Sequence, residues 1–145
     1  MTRRPATNVD TELDRDVCKL VHQFTHRLDV HVRRVAEQLE LTPSQVIALR
    51  ELSEPITARE LATRMSCEPS NATFVLDKLE QLELIRREPH PTDRRAKQIM
   101  LTPAGKRRRA TAVELLGAES PLTSLTATQQ QALRDLLHAM AETQD

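Results

Sequence analysis

The fold is decided by residues 68–101, EPSNATFVLDKLEQLELIRREPHPTDRRAKQIML. The first part of this stretch predicts an amphipathic helix, because Pro69 stands where a first helical residue has no N–H to lose. Apolar residues then recur at three- and four-residue steps and define one face: Ala72, Val75, Leu76, Leu79 and Leu82. The opposite face is mainly polar and carries Ser70, Asn71, Thr73, Phe74, Asp77, Lys78 and Gln81. Small hydrogen-bonding side chains on such a face suit the base edges and phosphates of DNA.

Phe74 is the one aromatic residue on that polar face, and two interpretations of it stand side by side. An exposed aromatic ring can press on the methyl group of a thymine in the major groove. Alternatively, the ring tucks against a neighbouring element of the same fold. The residues alone favour neither interpretation.

The second part of the stretch predicts two short strands, because residues 84–88 and 97–101 alternate between apolar and polar side chains. Residues 89–96 between them contain two prolines and an aspartate, which predicts a turn. Arg94 and Arg95 lie side by side in this turn, and their repulsion costs stability unless an anion offsets it. The narrow minor groove of DNA is strongly negative and attracts inserted arginine, and Asp93 can hold one guanidinium in a fixed direction. A charged turn alone is more often solvated than functional, but after this helix it favours a DNA-binding wing.

The stretch resembles the winged helix-turn-helix of the MarR family of bacterial transcriptional regulators. The resemblance rests on SNATFVLDKLE for a recognition helix, LIRR for a strand, DRRAK for the wing and LTPAG after it. It implies that one set of side chains faces the major groove, namely Ser70, Asn71, Thr73, Phe74 and Lys78. It also implies that Arg94 takes phosphate, that Arg95 enters the minor groove and that Asp93 braces Arg95. Arg86 and Arg87 are expected to support the wing or to reach phosphate.

Two positions depart from the pattern of that family. Glu83 stands where glycine is usual ahead of the strand, and Phe74 stands where a polar or basic side chain is common. Both departures concern the detailed base contacts and leave the expected fold unchanged.

The rest of the chain predicts support for this reading unit. Residues 10–40 contain neither Gly nor Pro and keep helical spacing of apolar residues, so they predict one long helix. Its apolar stripe needs more partner surface than a small winged helix supplies, and a second subunit is the natural source. Thr42, Thr57 and Thr126 each precede a capping-box pattern and predict helix starts. Residues 1–9 predict a loose arm.

The expected fold class is mainly α with a small β-hairpin, organised as a winged helix-turn-helix with long N- and C-terminal dimerisation helices. Residues 41–101 form the DNA-binding region, and residues 1–40 and 102–145 form the helical dimerisation region of one compact domain. The last helix carries Leu133, Leu136, Leu137 and Met140 on one face. The basic run Lys106 to Arg109 is interpreted as a solvated face, with phosphate contact as the alternative.

Charge is distributed unevenly although the formal net charge is zero. Residues 59–109 hold 12 Lys and Arg against 7 Asp and Glu, whereas residues 110–145 hold one arginine against five acids. Positive charge is therefore concentrated on the predicted reading unit, as phosphate contact requires. No apolar run is long enough to span a membrane, and the basic start is not followed by a secretory apolar region, so the chain is expected in the cytoplasm.

No catalytic or cofactor pattern stands out in the chain, which predicts a protein that is not an enzyme and needs no cofactor. Two glycines in 145 residues exclude Gly-rich nucleotide loops. His22 and His26 share a helical face, but no third ligand completes a metal site, so no metal is predicted. By resemblance, these histidines are candidates for contact with a small phenolic or anionic effector. Cys18 is placed like the sensing cysteine of the organic-hydroperoxide branch of the family, but it is interpreted as a buried packing residue.

These patterns together predict a sequence-specific DNA-binding regulator, a ligand-responsive repressor that binds a pseudo-palindromic operator as a homodimer. Two alternatives stay open. One is a winged-helix protein–protein adaptor without DNA activity, and the other is a thiol-based redox sensor that acts through Cys18.

Overall fold

The structure, a computed structural model, describes residues 10–142, so the predicted N-terminal arm lies outside the described residues. Its helices are α1 (Thr11–Leu39), α2 (Pro43–Glu51), α3 (Ala58–Met65), α4 (Pro69–Gln81), α5 (Pro103–Ala118) and α6 (Ala127–Ala141). Its strands are β1 (Ile56–Thr57), β2 (Ile85–Pro89) and β3 (Lys97–Leu101), and a 3-10 turn covers Pro121–Ser124. The predicted class, mainly helical with a small antiparallel sheet, is confirmed.

Helix starts follow the threonine caps that the sequence predicts. The Thr42 and Thr126 hydroxyls each accept the third helical N–H, and Gln45 and Gln129 return a hydrogen bond to the cap backbone. At Thr57 the prediction of a full capping box is half right. The Thr57 hydroxyl accepts the backbone N–H of Glu60, but the Glu60 carboxylate accepts from that hydroxyl.

The sheet has one strand more than the predicted hairpin. Strand β3 lies in the middle, with β2 and β1 antiparallel on its two sides. Two residues of β1 pair with β3, and Ile56 lies opposite Ile99. A strand of two residues is too short to show alternation, so no periodicity could reveal it.

The core lies where α2, α3 and α4 pack on the sheet, and its centre is wholly aliphatic. Its fully buried members include Leu49, Leu61, Leu76, Leu79 and Ile99. Helix α4 contributes Ala72, Val75, Leu76 and Leu79 as predicted. The prediction is wrong for Leu82, which is 50% exposed because it caps the helix and no longer follows its periodicity.

A second, smaller core joins the C-terminal end of α1 to α2 and α5, through Val35, Ala36, Leu39, Val46 and Ala112. Towards its N-terminus, the apolar stripe of α1 is exposed, with Leu13, Val17, Leu20, Val21 and Leu28 among the exposed residues. Helix α6 also exposes Leu136 and Leu137. The described protomer therefore leaves a large apolar surface at this end.

The basic run at the start of α5 is neither a fully solvated face nor a free phosphate site. Arg108 Nη1 donates to the carbonyl oxygen of Leu39 at 2.9 Å, and Arg109 Nη2 donates to that of Arg50 at 3.1 Å. These acceptors lie in the last turns of α1 and α2, where carbonyl groups lack helical partners. The two arginines therefore cap two helix ends, a role that the sequence reasoning missed.

Candidate nucleic-acid interface

Helix α4 presents a polar face to solvent along its whole length. Its 13 residues span about 20 Å at the usual rise of an α-helix. The predicted groove-facing residues are all exposed: Ser70, Asn71, Thr73, Phe74 and Lys78. The Thr73 hydroxyl donates back to Pro69 O at 3.0 Å, which leaves its oxygen able to accept a further hydrogen bond. The face offers both donors and acceptors, as base readout requires.

The turn into α4 depends on a residue in the left-handed region. Ser66 caps α3 with φ 53°, and the N–H of Cys67 donates to Ala62 O at 3.0 Å. Arg64 fixes α3 to the preceding loop, since its guanidinium donates to Glu51 O and to the Glu54 carboxylate. The hydrogen bond with Glu54 raises the pKa of Arg64 above its ordinary value, so this cation stays charged.

The structure argues against one of the two interpretations of Phe74. Its side chain is 64% exposed, so the ring does not tuck against a neighbouring element of the described chain. Lys78, one turn later, places its Nζ 5.6 Å from the ring centroid. A cation over an aromatic face is attracted by the ring quadrupole. Phe74 and Lys78 together form an exposed patch that is apolar and positively charged, on a face that is otherwise polar.

The tip between β2 and β3 is organised by His90, which the sequence reasoning missed. Its Nδ1 accepts the backbone N–H groups of Thr92 and Asp93, each at 3.2 Å. The N–H of His90 donates to Ala96 O at 3.1 Å and closes the tip across its base. The sequence signal that could have revealed this role is the position of His90 between two prolines.

The brace that Asp93 supplies differs from the expected one. Its Oδ1 accepts the backbone N–H of Arg95 at 3.0 Å and so holds the main chain of the tip rather than a guanidinium. Arg94 and Arg95 are both exposed, and within residues 10–142 no salt bridge engages either side chain. The backbone of the tip is therefore fixed by hydrogen bonds, while the side chains of Arg94 and Arg95 are available to an external anion.

The two arginines of β2 point to different partners. Arg87 contacts two carboxylates of α4, with Nη2 2.7 Å from Asp77 Oδ1 and Nη1 3.2 Å from Glu80 Oε1. Arg86 pairs with Glu88 of its own strand at 3.0 Å. Of the two expected roles, support of the wing describes Arg87, because its guanidinium already bridges two acids of the helix.

The start of the wing is fixed by the TPAG segment. Thr102 Oγ1 donates to Glu83 O at 2.7 Å, and its N–H donates to Leu84 O at 3.0 Å. Gly105 lies against this carbonyl so closely that a Cβ would stand 1.9 Å from Leu84 O. Glu83 itself has φ 59°, in the left-handed region. Glycine adopts this conformation without steric cost, which explains why it is usual at the position. Glu83 adopts the same conformation with the backbone strain that any residue with a Cβ has there.

Known proteins share this arrangement of helix and wing. The model of the MarR family matches residues 41–97. The HTH-type transcriptional regulator YsmB of Bacillus subtilis is 30% identical over 109 residues, which cover 74% of this chain and 71% of YsmB. The chain belongs to the MarR family. A mutant MarR from E. coli complexed with operator DNA is 25% identical, with a TM-score of 0.70 over 86% of this chain and 93% of that one. The transcriptional repressor CouR, bound to a 23-mer DNA duplex, is 26% identical, with a TM-score of 0.74 over 90% of this chain and 96% of CouR.

Membership of the MarR family identifies the chain as a DNA-binding transcriptional regulator that functions as a dimer. The family model covers α2 to the start of β3, which is the segment that holds the exposed helix face and the tip. In this MarR chain the described helices include none that is long and apolar enough to cross a membrane.

The histidines and cysteines of this MarR protein are not brought together. Within residues 10–142, no group of three or more His, Cys, Asp or Glu side chains could hold a metal ion. His22 and His26 are both exposed, and His26 lines a cavity of about 310 Å³ beside His31 and Arg34. The interpretation of Cys18 as buried is wrong for the protomer, because the side chain is exposed on α1. Its Sγ lies 4.0 Å from Asp14 Oδ1, whereas reactive cysteines lie beside cations.

Proposed function

We propose that this regulator is a repressor that binds a pseudo-palindromic operator as a homodimer and leaves it when a small effector binds. Two copies of α4 enter successive major grooves roughly 34 Å apart. Ser70, Asn71 and Thr73 contact base edges, Arg94 contacts phosphate and Arg95 enters the minor groove. Residues 41–101 serve as the reading region, and residues 1–40 and 102–145 serve as the dimerisation region.

The observation that carries this proposal is the pair of exposed guanidiniums at a braced tip. Two adjacent cations without an acidic partner repel each other, and an external polyanion removes that cost. The acids of the adjoining helix, by contrast, are already matched by Arg87. The face of α4 and the tip together therefore offer hydrogen-bonding groups and positive charge to a duplex.

The exposed apolar surface supports the dimer. A groove of about 500 Å³ between α1 and α6 is lined mainly by apolar side chains, among them Phe24, Leu28, Leu133 and Leu137. A C2 dimer presents the same patch twice, so each copy can cover the surface of the other. The relatives called repressors, MdtR of Bacillus subtilis and CouR, support the direction of regulation.

A cavity of about 410 Å³ between α1 and the reading region supports the effector. It is lined by Val32, Arg33, Ile47, Met65 and Cys67, among others. Its walls combine apolar side chains with the opposite charges of Arg33 and Asp29, which suits a small phenolic compound better than a purely anionic one. Occupation of this cavity shifts the protein towards a form whose two reading helices no longer match the operator.

The protein acts in the cytoplasm and catalyses no reaction.

The test is DNA binding by the purified protein across its own upstream region, titrated with salt, beside Arg95→Ala. We expect tight binding to an inverted repeat and at least about tenfold weaker binding by the variant, with a salt slope smaller by about two for the dimer. Arg50→Ala is the matched control, because it removes an exposed arginine of α2 whose side chain pairs with the adjacent Glu51. Equal affinity of Arg95→Ala and the parent overturns the wing assignment. Failure of a folded dimer to bind at low salt favours the adaptor alternative.

The redox alternative has one specific observation in its favour, the exposure of Cys18. The organic hydroperoxide resistance transcriptional regulator of Bacillus subtilis is also 24% identical over 134 residues. We expect Cys18→Ser to leave DNA release by effectors unchanged. Release of DNA by an organic hydroperoxide that is lost in this variant establishes the thiol sensor instead.

A further inference from the structure

We propose that Phe74 determines specificity by reading the C5 methyl group of one thymine in each operator half-site. This inference rests on the proposed function, because it names what one residue of the reading helix recognises. The side chain is 64% exposed in the middle of a helix whose other face is fully packed. The described protomer leaves most of this large apolar side chain uncovered, so its apolar area is available to a partner.

The ring is held rather than loose. Lys78 lies over it with Nζ 5.6 Å from the centroid, which limits the rotamers of both side chains. Asp77, the acidic neighbour of this pair in sequence, is drawn away by Arg87. The pair therefore presents an apolar surface next to one positive charge, with its nearest carboxylate compensated.

The chemistry of the major groove selects the target. Thymine is the one unmodified base that presents a methyl group there, while the other bases offer hydrogen-bond donors and acceptors. A phenyl ring can neither donate nor accept a conventional hydrogen bond, so it gains most beside that methyl group. Contact with cytosine or a purine at the same position instead leaves polar atoms of the base without a partner.

The exposed apolar residues of the dimer surface do not account for Phe74. They lie on α1 and α6, whereas Phe74 lies on α4, next to Thr73 on the hydrogen-bonding face. Thr73 is the one other predicted groove-facing residue with a methyl group, and so it is the competing reader of thymine. The test therefore has to separate these two residues.

The experiment begins with selection of a bound sequence from a random duplex pool by the parent protein. Each thymine of one half-site is then replaced singly by deoxyuridine, which removes the methyl group and nothing else. We expect affinity to fall about fourfold at one position and about fifteenfold when both half-sites are changed. The parent protein is expected to bind a duplex with 5-methylcytosine in place of that thymine better than a duplex with cytosine there.

Four variants, Phe74→Asn, Phe74→Leu, Leu82→Asn and Thr73→Ser, assign the effect to a residue. Phe74→Asn is expected to bind the thymine and uracil duplexes equally, whereas Phe74→Leu retains part of the difference. Leu82→Asn is the matched control, since it removes an exposed apolar side chain from the end of the same helix and leaves the difference intact. Thermal melting confirms that each variant is folded.

The outcomes separate the two levels of the proposal. If the selection enriches no sequence, the proposed function is overturned, and this inference is overturned with it. An enriched sequence that tolerates uracil at every thymine overturns the role of Phe74 alone. Discrimination that survives in Phe74→Asn but disappears in Thr73→Ser assigns the methyl group to Thr73 and also overturns it.

Discussion

Arg87 and Asp77 join the wing to the recognition helix through a contact of 2.7 Å between Nη2 and Oδ1. The same guanidinium reaches Glu80 Oε1 at 3.2 Å, so one cation matches two acids of α4. Such partly exposed pairs add little to folding stability. Their larger consequence is electrostatic, because uncompensated carboxylates on α4 would repel the phosphates of a duplex.

Arg87→Met is expected to weaken operator binding about tenfold while it lowers the free energy of unfolding by about 1 kcal/mol or less. Fluorescence anisotropy on a labelled operator and urea denaturation measure the two quantities. Arg50→Met is the matched control, since it removes an arginine of α2 that pairs with the adjacent Glu51. The addition of Asp77→Asn and Glu80→Gln to Arg87→Met should recover most of the lost affinity. Unchanged affinity of Arg87→Met contradicts the compensation argument.

His90→Ala is expected to weaken operator binding about fivefold, because two backbone N–H groups of the tip lose their acceptor. His90→Asn should bind nearly as well as the parent, since an Asn oxygen can accept from the backbone two residues on. Anisotropy under identical salt conditions compares the three proteins. The role of His90 is refuted when both variants lose affinity equally.

Gly105→Ala is expected to lower the free energy of unfolding by about 1–3 kcal/mol. The added Cβ would meet Leu84 O at 1.9 Å, so the start of α5 or the start of the wing has to move. Gly117→Ala is its counterpart within the same helix, because a Cβ there meets nothing within 4 Å. That change should raise the free energy of unfolding by up to about 1 kcal/mol. Urea denaturation measures both, and a destabilised Gly117→Ala would contradict the packing argument.

Leu20→Glu is expected to raise the dimer dissociation constant by roughly a hundredfold or more, because symmetry places the buried charge in the interface twice. The side chain is 61% exposed in the described protomer, so folding of the single chain should be little affected. Analytical ultracentrifugation measures the association. Leu82→Glu is the control, since Leu82 is exposed at the far end of α4. An intact dimer in Leu20→Glu would move the interface away from α1.

Much of the fold could be predicted because its signals are local. Proline after Glu68, threonine before α2, α3, α5 and α6 and apolar spacing in α4 all act within a few residues, and the elements begin where these signals stand. The two-residue strand β1 escaped because it exists by pairing with β3, over 40 residues away in the chain. A pairing that distant leaves no pattern in the two residues themselves.

The exposure of the candidate site was predictable from the sequence, and its side-chain partners were not. The exposed face of α4 and the exposed tip arginines follow from periodicity and charge. Arg87 at two acids of α4 and Asp93 at a backbone N–H depend on the angle between wing and helix, which spacing along the chain does not determine. Cys18 illustrates the same gap, since it is interpreted from the sequence as a buried packing residue and the protomer alone does not cover it.

The bare apolar stripe of α1 has a consequence for how stable this protein is in a cell. Where folding and pairing are linked, mass action makes the melting temperature rise with the amount of protein present. A sample diluted towards the level of a scarce regulator therefore melts earlier than one prepared at high concentration. The abundance of the chain then sets both how much operator is occupied and how long each copy survives proteolysis.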